Sequence, residues 1–181
     1  MENEALTAVT LESKLLLKAR VFEVHEKLIK LPSGSQVTRQ MVAHPGAAVI
    51  LPLDSEERVV MVRQYRFSAE KALLELPAGT LEIGEEPLIC AKRELEEEVK
   101  CSARDWQRLG ILFPAPGFCN EVQHCFMARD LEPRAAEGDE DELIEVERLS
   151  VAQVEEAIRS GELIDGKSVA CLFKARLGGY I

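Results

Sequence analysis

The stretch from Gly79 to Cys101 constrains this chain most, because it predicts one helix with an apolar stripe and an acidic flank. Pro87 suits the first turn of a helix, where the N–H that proline lacks would have no partner. Apolar residues follow at helical spacing, which indicates that one stripe faces a core: Leu88, Ala91, Leu95 and Val99. At about 100° per residue, three carboxylates share the flank beside that stripe: Glu94, Glu97 and Glu98.

An acidic flank of this kind needs a counter-charge. Like charges at i and i+4 destabilise a helix by roughly 0.2–0.5 kcal/mol per pair, and Glu94 and Glu98 have that spacing. A hard divalent cation is the natural partner, because Mg²⁺ binds carboxylate oxygens and keeps positions open for water and phosphate oxygens. A flank that is merely solvated is the alternative. The spacing of the surrounding polar residues favours the cation.

These polar residues follow a fixed order: Gly79, five residues, Glu85, seven residues, Arg93-Glu94-Leu95, one residue, Glu97-Glu98. This order resembles the Nudix box of the Nudix hydrolase family. The chain departs from the family pattern at Lys100, where the family usually has glycine, and Cys101 follows in the usual aliphatic position. Glycine there serves a left-handed helix end, which lysine adopts only at some cost. The resemblance implies an α+β fold, the Nudix-type α/β/α sandwich with a mixed β-sheet.

Size, charge and cysteine content narrow the class of protein. The 181 residues, 46% of them hydrophobic, suffice for one well-cored domain with a modest extension. A net charge of −10 argues against nucleic acid or an anionic membrane as the main partner. The five cysteines include no CxxC pair, which favours free thiols in a reducing cytosol. The N-terminus lacks a signal-peptide pattern and no apolar run approaches membrane-spanning length, so we expect a cytoplasmic protein.

The first 44 residues predict an extension ahead of the main domain. Residues from about Leu15 to Ala43 have the pattern of strand, turn and strand, with Leu31 to Ser35 as the turn. Such a β-hairpin has no core of its own and must pack on something. In the ADP-ribose pyrophosphatase branch, which the chain resembles, an N-terminal sheet crosses to the partner subunit, so the resemblance implies a homodimer. We therefore divide the chain into an extension of residues 1–44 and a Nudix hydrolase domain of residues 45–181.

The remaining segments predict further strands and two closing helices. Strands are expected at residues 47–53, 58–66, 107–113, 122–127 and 143–146. Ser150 and Gln153 form a capping box that starts a helix, and Gly161 ends it. The last helix is expected to face inward along one stripe: Val169, Leu172, Phe173, Arg176 and Leu177.

Further motifs assign residues to the substrate by the same resemblance. The string RQYR ends in Arg66 and is followed by ELPAG, a pattern of the ADP-ribose pyrophosphatase branch. Arg66 is therefore assigned to the diphosphate, since a guanidinium presents two parallel donors to phosphate oxygens. Pro116 lies 15 residues after Cys101, the distance that marks this branch, and Glu121 is assigned to the terminal ribose. We also expect Phe22, on the first predicted strand, to stack on the base.

An acidic segment from Glu137 to Glu142 predicts a surface loop that leads into a strand. In ADP-ribose pyrophosphatases the resembling loop carries a glutamate that helps to activate the attacking water or completes metal binding. Glu142 is the matching residue, and Glu140 is the alternative. Such a loop closes when substrate is bound.

The resemblance implies hydrolysis that depends on Mg²⁺, with Mn²⁺ as an alternative metal. It assigns metal binding to the Ala78 carbonyl and three carboxylates: Glu94, Glu97 and Glu98. It assigns catalysis to four residues: Glu98, Glu97, Glu142 and Arg93. Glu85 is expected to pair with Arg93. The expected reaction converts ADP-ribose to AMP and ribose 5-phosphate. Two alternatives stay open: a hydrolase of nucleoside diphosphate sugars such as ADP-glucose or GDP-mannose, and a module that senses a nucleotide without cleaving it.

Overall fold

The structure, a computed structural model, describes residues 6–135 and 143–181. Within them the chain forms ten strands and three helices. The strands are β1 (Val9–Lys18), β2 (Glu23–Lys30), β3 (Gln36–Ala43), β4 (Ala47–Pro52), β5 (Val59–Arg66), β6 (Lys71–Glu75), β7 (Ala78–Thr80), β8 (Cys101–Leu112), β9 (Gln123–Pro133) and β10 (Ile144–Leu149). The helices are α1 (Pro87–Val99), α2 (Val151–Ser160) and α3 (Gly166–Leu177).

The chain divides into two compact units. The N-terminal unit joins Met1–Pro45 with Ala115–Glu121, and the helical unit joins Gly46–Pro114 with Val122–Ile181.

The N-terminal unit is built on an antiparallel sheet of order β1-β2-β3. The predicted hairpin is β2 and β3, and its turn is closed by hydrogen bonds from Leu31 N–H to Ser35 O and from Gly34 N–H to Leu31 O. The sequence did not predict β1. Two register shifts, at Thr10/Glu12 and Leu15/Leu17, interrupt the two-residue alternation by which a strand is recognised. The segment 115–121 lies beside the end of β3, where Val42 N–H donates to Phe118 O at 2.7 Å.

The helical unit contains two sheets, of order β7-β4-β9-β8 and β10-β5-β6. The first is mixed, because β4 pairs with β9 in parallel and with β7 antiparallel. All six residues of β4 are buried, as expected for an apolar run covered on both faces.

Alternate residues of β4 enter two different cores. Val49 and Leu51 pack with residues of α2 and α3, whereas Ala48 and Ile50 pack with residues of α1. Leu95 of α1 is 0% exposed, and full burial of a leucine stabilises the fold by about 1.5–3 kcal/mol. The predicted α/β/α sandwich with a mixed sheet is therefore confirmed.

The two closing helices were predicted correctly at the ends of α2 but not at every inward-facing residue of α3. The capping box of α2 forms between Ser150 and Gln153, and Gly161 ends the helix in the left-handed region. On α3 the prediction that Phe173 and Leu177 face inward is wrong, since they are 62% and 73% exposed. Leu172 of the predicted stripe is buried, and the other buried residues of α3 are smaller: Ser168, Cys171 and Ala175. No helix among the described residues is long and apolar enough to cross a membrane.

Candidate functional site

Helix α1 presents its acidic flank to the short strand β7. Glu98, although ionisable, is 7% exposed, and its Oε2 accepts a hydrogen bond from Ala78 N–H at 3.1 Å. A buried carboxylate needs such partners, because an unpaired charge in the interior costs several kcal/mol. The bond fixes the Glu98 carboxylate against the Ala78–Gly79 backbone.

Arg93 joins the other carboxylates of this flank. Its Nε and Nη2 donate to the two carboxylate oxygens of Glu85, each at 3.1 Å. Its Nη1 donates to Glu94 Oε1 at 2.6 Å and to Glu97 Oε2 at 3.0 Å. The hydrogen bonds from Arg93 hold the pKa of Glu85 below its usual value, and the hydrogen bond to Glu85 raises the pKa of Arg93. One guanidinium therefore ties the loop before α1 to two turns of the helix.

Gly79 is required by a close approach rather than by an unusual backbone angle. A Cβ at this position would lie 1.8 Å from both Cδ and Oε1 of Glu94. Below this contact, the Cys90 thiol donates to the carbonyls of Gly79 and Thr80, each at 3.6 Å. Burial, with the nearby charges of Glu94 and Glu85, raises the pKa of Cys90 to about 12. The thiol therefore stays protonated and keeps its donor role at neutral pH.

Lys100 ends α1 in the left-handed conformation, at φ 58° and ψ 37°. The usual glycine of this position is thus replaced by a residue that adopts the same geometry at a cost of about 1–2 kcal/mol. A hydrogen bond of 2.8 Å from Lys100 Nζ to Glu97 O offsets part of that cost. The departure from the family pattern leaves the helix end unchanged.

The donor set of the flank fits a hard divalent cation. Three carboxylates, those of Glu85, Glu94 and Glu97, face one guanidinium, that of Arg93. A fourth carboxylate, that of Glu98, accepts from Ala78 N–H. This excess of negative charge on oxygen donors is the chemistry that Mg²⁺ or Mn²⁺ prefers. Among residues 6–135 and 143–181, however, no three acidic, histidine or cysteine side chains converge on one point.

Arg66, assigned by sequence to the substrate diphosphate, lies at the end of β5 and binds a buried acid. Its Nε and Nη2 donate to the two oxygens of Glu75 at 2.9 and 2.7 Å. Glu75 is 1% exposed, and it also binds Lys167 Nζ. Lys167 in turn binds Asp165 Oδ2 at 2.8 Å. Neither Glu75 nor Lys167 was picked out by sequence reasoning.

A signal for Glu75 did exist in the sequence. It stands between Leu74 and Leu76 in a buried strand, where an acidic residue needs a cationic partner. The identity of that partner could not be read from the chain, because Lys167 lies 92 positions further on.

The other predicted substrate residues belong to the N-terminal unit. Phe22 is 38% exposed and lies in the turn before β2, so its expected position on a strand is wrong. Pro116 and Glu121 lie in the segment 115–121, where Asn120 Oδ1 accepts from His44 N–H at 2.8 Å. Glu121 Oε1 is 4.0 Å from His44 Nδ1. Glu140 and Glu142 lie outside the described residues.

Comparison with known proteins places these residues in context. The model of the NUDIX domain family matches residues 42–169, more than half of the chain. An ADP-ribose pyrophosphatase of Bacillus subtilis (strain 168) is 34% identical over 167 residues, which cover 91% of this chain and 90% of the relative. A GDP-mannose pyrophosphatase of Salmonella typhimurium is 34% identical over 136 residues, which cover 70% of this chain and 71% of the relative. A solved structure of an ADP compounds hydrolase superposes with a TM-score of 0.83 at 23% identity, covering 96% of this chain and 97% of that one, and so resembles it in fold.

Proposed function

Because the chain belongs to the NUDIX domain family, we propose that it is a pyrophosphohydrolase that cleaves ADP-ribose to AMP and ribose 5-phosphate. The observation that carries this proposal is the acidic flank of α1. There Glu94 and Glu97 accept hydrogen bonds from Arg93, and Glu98 accepts one from the backbone of β7. The relative from Bacillus subtilis, an ADP-ribose pyrophosphatase by name, is similar over nearly the whole of both chains.

We propose that these three carboxylates and the Ala78 carbonyl hold Mg²⁺, with Mn²⁺ as the alternative. When bound, such a cation neutralises phosphate charge and lowers the pKa of a coordinated water. The protein contributes orientation. The hydrogen bond from Ala78 N–H fixes Glu98, and Arg93 holds Glu94 and Glu97 against the loop. We propose that Glu97, Glu98, Arg93 and Glu142 are catalytic, with Glu140 as the alternative to Glu142.

On the substrate side we propose that Arg66 binds the diphosphate. The Arg66 side chain is 35% exposed although it is paired with Glu75, and Nη1 of its guanidinium is not used in that pair. Phe22, Pro116 and Glu121 are proposed to contact the nucleoside and the terminal ribose. The division into an extension of residues 1–44 and a hydrolase domain of residues 45–181 is part of the same proposal.

The test is AMP release from ADP-ribose in the presence of Mg²⁺. Glu98→Gln keeps the size of the side chain but removes its charge. We expect it to lower kcat by more than the roughly 10–100-fold that loss of an outer partner of a metal site typically causes. Glu96→Gln is the matched control, since Glu96 is on the same helix but pairs with Arg134 at 3.7 Å. Equal activity of the Glu98 and Glu96 variants would refute the proposal.

A second candidate function is hydrolysis of nucleoside diphosphate sugars, which the GDP-mannose pyrophosphatase relative favours. GDP-mannose and ADP-glucose belong in the same assay for this reason. A higher kcat/KM for either than for ADP-ribose would move the assignment to that substrate and leave the role of α1 unchanged. A wild-type protein that binds ADP-ribose but cleaves none of the three substrates would indicate a nucleotide sensor.

We also propose that the chain forms a homodimer through its N-terminal unit. All ten residues of β1 are exposed, and five of them are apolar: Val9, Leu11, Leu15, Leu16 and Leu17. We infer from these exposed apolar side chains that β1 is an interaction site. Light scattering should give twice the chain mass of 20.1 kDa, and Leu15→Lys combined with Leu17→Lys should return the mass to that of one chain.

A cytoplasmic location is proposed as well. All five cysteines are free thiols, which suits a reducing compartment. Fractionation of cells that express the chain should recover it with cytoplasmic markers, and recovery with a secreted or membrane fraction would contradict the proposal.

A further inference from the structure

A cluster of four charged side chains lies at the start of α3, and Arg66 is the only one of the four that the proposed reaction uses. Glu75 of β6 is 1% exposed. It binds Arg66 through both oxygens and Lys167 through Oε2. Lys167 also binds Asp165, and the side chains of Lys167 and Asp165 are 12% and 17% exposed. Two cations and two anions therefore compensate one another, and Arg66, at 35% side-chain exposure, is the most exposed of the four.

The pairing with Glu75 uses only one edge of the Arg66 guanidinium. Nε and Nη2 donate to the carboxylate in a bidentate arrangement, the geometry in which a planar fork is most strictly oriented. Nη1 donates to no acceptor among the described residues. The edge formed by Nη1 and Nη2 therefore remains available for a second planar or tetrahedral anion.

Arg66 is linked to the acidic flank of α1 through the chain that follows its partner Glu75. Three residues after Glu75, Ala78 N–H donates to Glu98 of that flank at 3.1 Å. The pKa of Arg66 is raised by the hydrogen bond to Glu75 and, to a smaller extent, by the negative charge of Glu98, since a nearby opposite charge favours the charged form. The cluster thus holds an arginine within electrostatic reach of a carboxylate to which metal binding has been assigned.

The position of Lys167 is fixed by the local structure at the start of α3. Asp165 caps the helix: its Oδ2 accepts from Ser168 N–H at 3.0 Å and from the Ser168 hydroxyl at 2.5 Å. Ser168 Oγ accepts from Leu76 N–H at 2.7 Å, which ties the helix start to the residue after Glu75. Lys167 is therefore a rigid counter-charge rather than a mobile surface lysine.

We propose that Lys167, acting through Glu75, is a positioning residue that orients Arg66 so that its Nη1/Nη2 edge receives the substrate diphosphate. Without Lys167, Glu75 keeps Arg66 as its one cationic partner, and Asp165 has no cationic partner. The Glu75 carboxylate, which orients Arg66, is then no longer fixed by α3. This inference rests on the proposed hydrolysis of a diphosphate and adds a residue from α3 that neither the box nor the RQYR string contains.

The test compares Lys167→Met in two backgrounds, wild type and Arg66→Ala, by kcat/KM for ADP-ribose with Mg²⁺. We expect a loss of about 10–100-fold in the wild-type background, the size of effect that a misplacement of about 1 Å produces. We expect no further loss in the Arg66→Ala background, because the proposed effect acts only through that arginine. The same fold loss in both backgrounds would show that Lys167 acts elsewhere and would overturn the proposal.

Two further variants separate positioning from folding. Lys174→Met makes the same substitution on the same helix at a lysine that has no ion pair with the described residues, and it should leave kcat/KM unchanged. Glu75→Gln combined with Lys167→Met removes one charge of each sign, which avoids a stranded buried charge. This double variant should melt closer to wild type than Lys167→Met alone, yet keep the loss of kcat/KM. Recovery of kcat/KM together with the melting temperature would mean that Lys167 is only structural.

Failure of the proposed function is recognised separately. If wild type does not cleave ADP-ribose, the same comparison is made by calorimetric binding of ADP, which carries the diphosphate without the second group. Weaker ADP binding by Lys167→Met, and not by Lys174→Met, would support the positioning role even though the substrate assignment had failed. Unchanged ADP binding by Lys167→Met would refute it.

Discussion

Replacement of Gly79 by alanine tests whether the position of Glu94 matters for catalysis. The added Cβ would lie 1.8 Å from Cδ and Oε1 of Glu94 and 2.3 Å from its Cγ. The backbone of Gly79 belongs to β7, which pairs with the fully buried β4, so the side chain of Glu94 is the part that must yield.

The size of the displacement follows from the contact distances. Ordinary contact begins at 3.4 Å, so the Glu94 carboxylate must move by about 1.6 Å from its 1.8 Å position. A shift of this size exceeds the roughly 1 Å that can cost 10²-fold in rate, and it breaks the 2.6 Å hydrogen bond from Arg93. The stability cost should stay within the roughly 1–3 kcal/mol of an overpacked site, because a side chain can rotate.

The assay is kcat/KM for ADP-ribose with Mg²⁺ beside a thermal melt. Gly79→Ala should lose about 100-fold or more in kcat/KM and remain folded. Gly161→Ala is the control, since Gly161 ends α2 at φ +80° with nothing within 4 Å of an added Cβ. It should lower stability by about 1 kcal/mol and leave kcat/KM unchanged. Near-wild-type kcat/KM in Gly79→Ala would refute the reasoning, because Glu94 would then act from a position that the clash forbids.

Three further predictions concern the helix end, the buried acid and the thiols. Lys100→Gly should stabilise the fold by up to about 1 kcal/mol in urea unfolding, because glycine adopts φ 58° without strain; a loss of stability would mean that the Lys100 Nζ bond to Glu97 O outweighs the strain. Burial raises the pKa of Glu75, but the hydrogen bonds from Arg66 and Lys167 and the charge of Lys167 lower it by more. The pKa of Glu75 therefore lies below the ordinary 4.5. Wild type should therefore exceed Glu75→Gln in stability above pH 4.5, and the difference should shrink as pH falls through the lowered pKa; a difference that grows in acid would contradict this sign. Thiol titration with a disulfide reagent should detect Cys119 alone in the native state and five thiols in denaturant, since the other four are buried; rapid reaction of Cys90 would contradict its raised pKa.

The sequence predicted those features that depend on residues close together in the chain. Helix α1 begins at Pro87 and buries Ala91, Leu95 and Val99, as the periodicity requires. The capping box at Ser150 also formed where local chemistry placed it. Both features follow from a spacing of three or four residues, which a helix turns into direct contact. The left-handed end at Lys100 formed although lysine is disfavoured in that conformation.

Features that depend on distant residues were missed. The cluster that joins Arg66 to Lys167 brings together residues of β5, β6 and α3, and no local pattern reveals which lysine meets Glu75. Strand β1 escaped recognition because its two bulges break the alternation of side chains. On α3 the periodicity predicts an inward stripe that includes Phe173 and Leu177, whereas the core beside β4 contains Leu172 of that stripe together with Cys171 and Ala175. Packing against β4 therefore decided which face of the helix is buried.

The measurement that tests the central claim most directly is AMP release from ADP-ribose with Mg²⁺, wild type beside Glu98→Gln. The account predicts cleavage by wild type, no cleavage without a divalent cation, and loss of cleavage in Glu98→Gln at an unchanged melting temperature without metal. Cleavage by Glu98→Gln at the wild-type rate would show that the buried carboxylate of α1 takes no part in the reaction, and the account of this site would then be wrong.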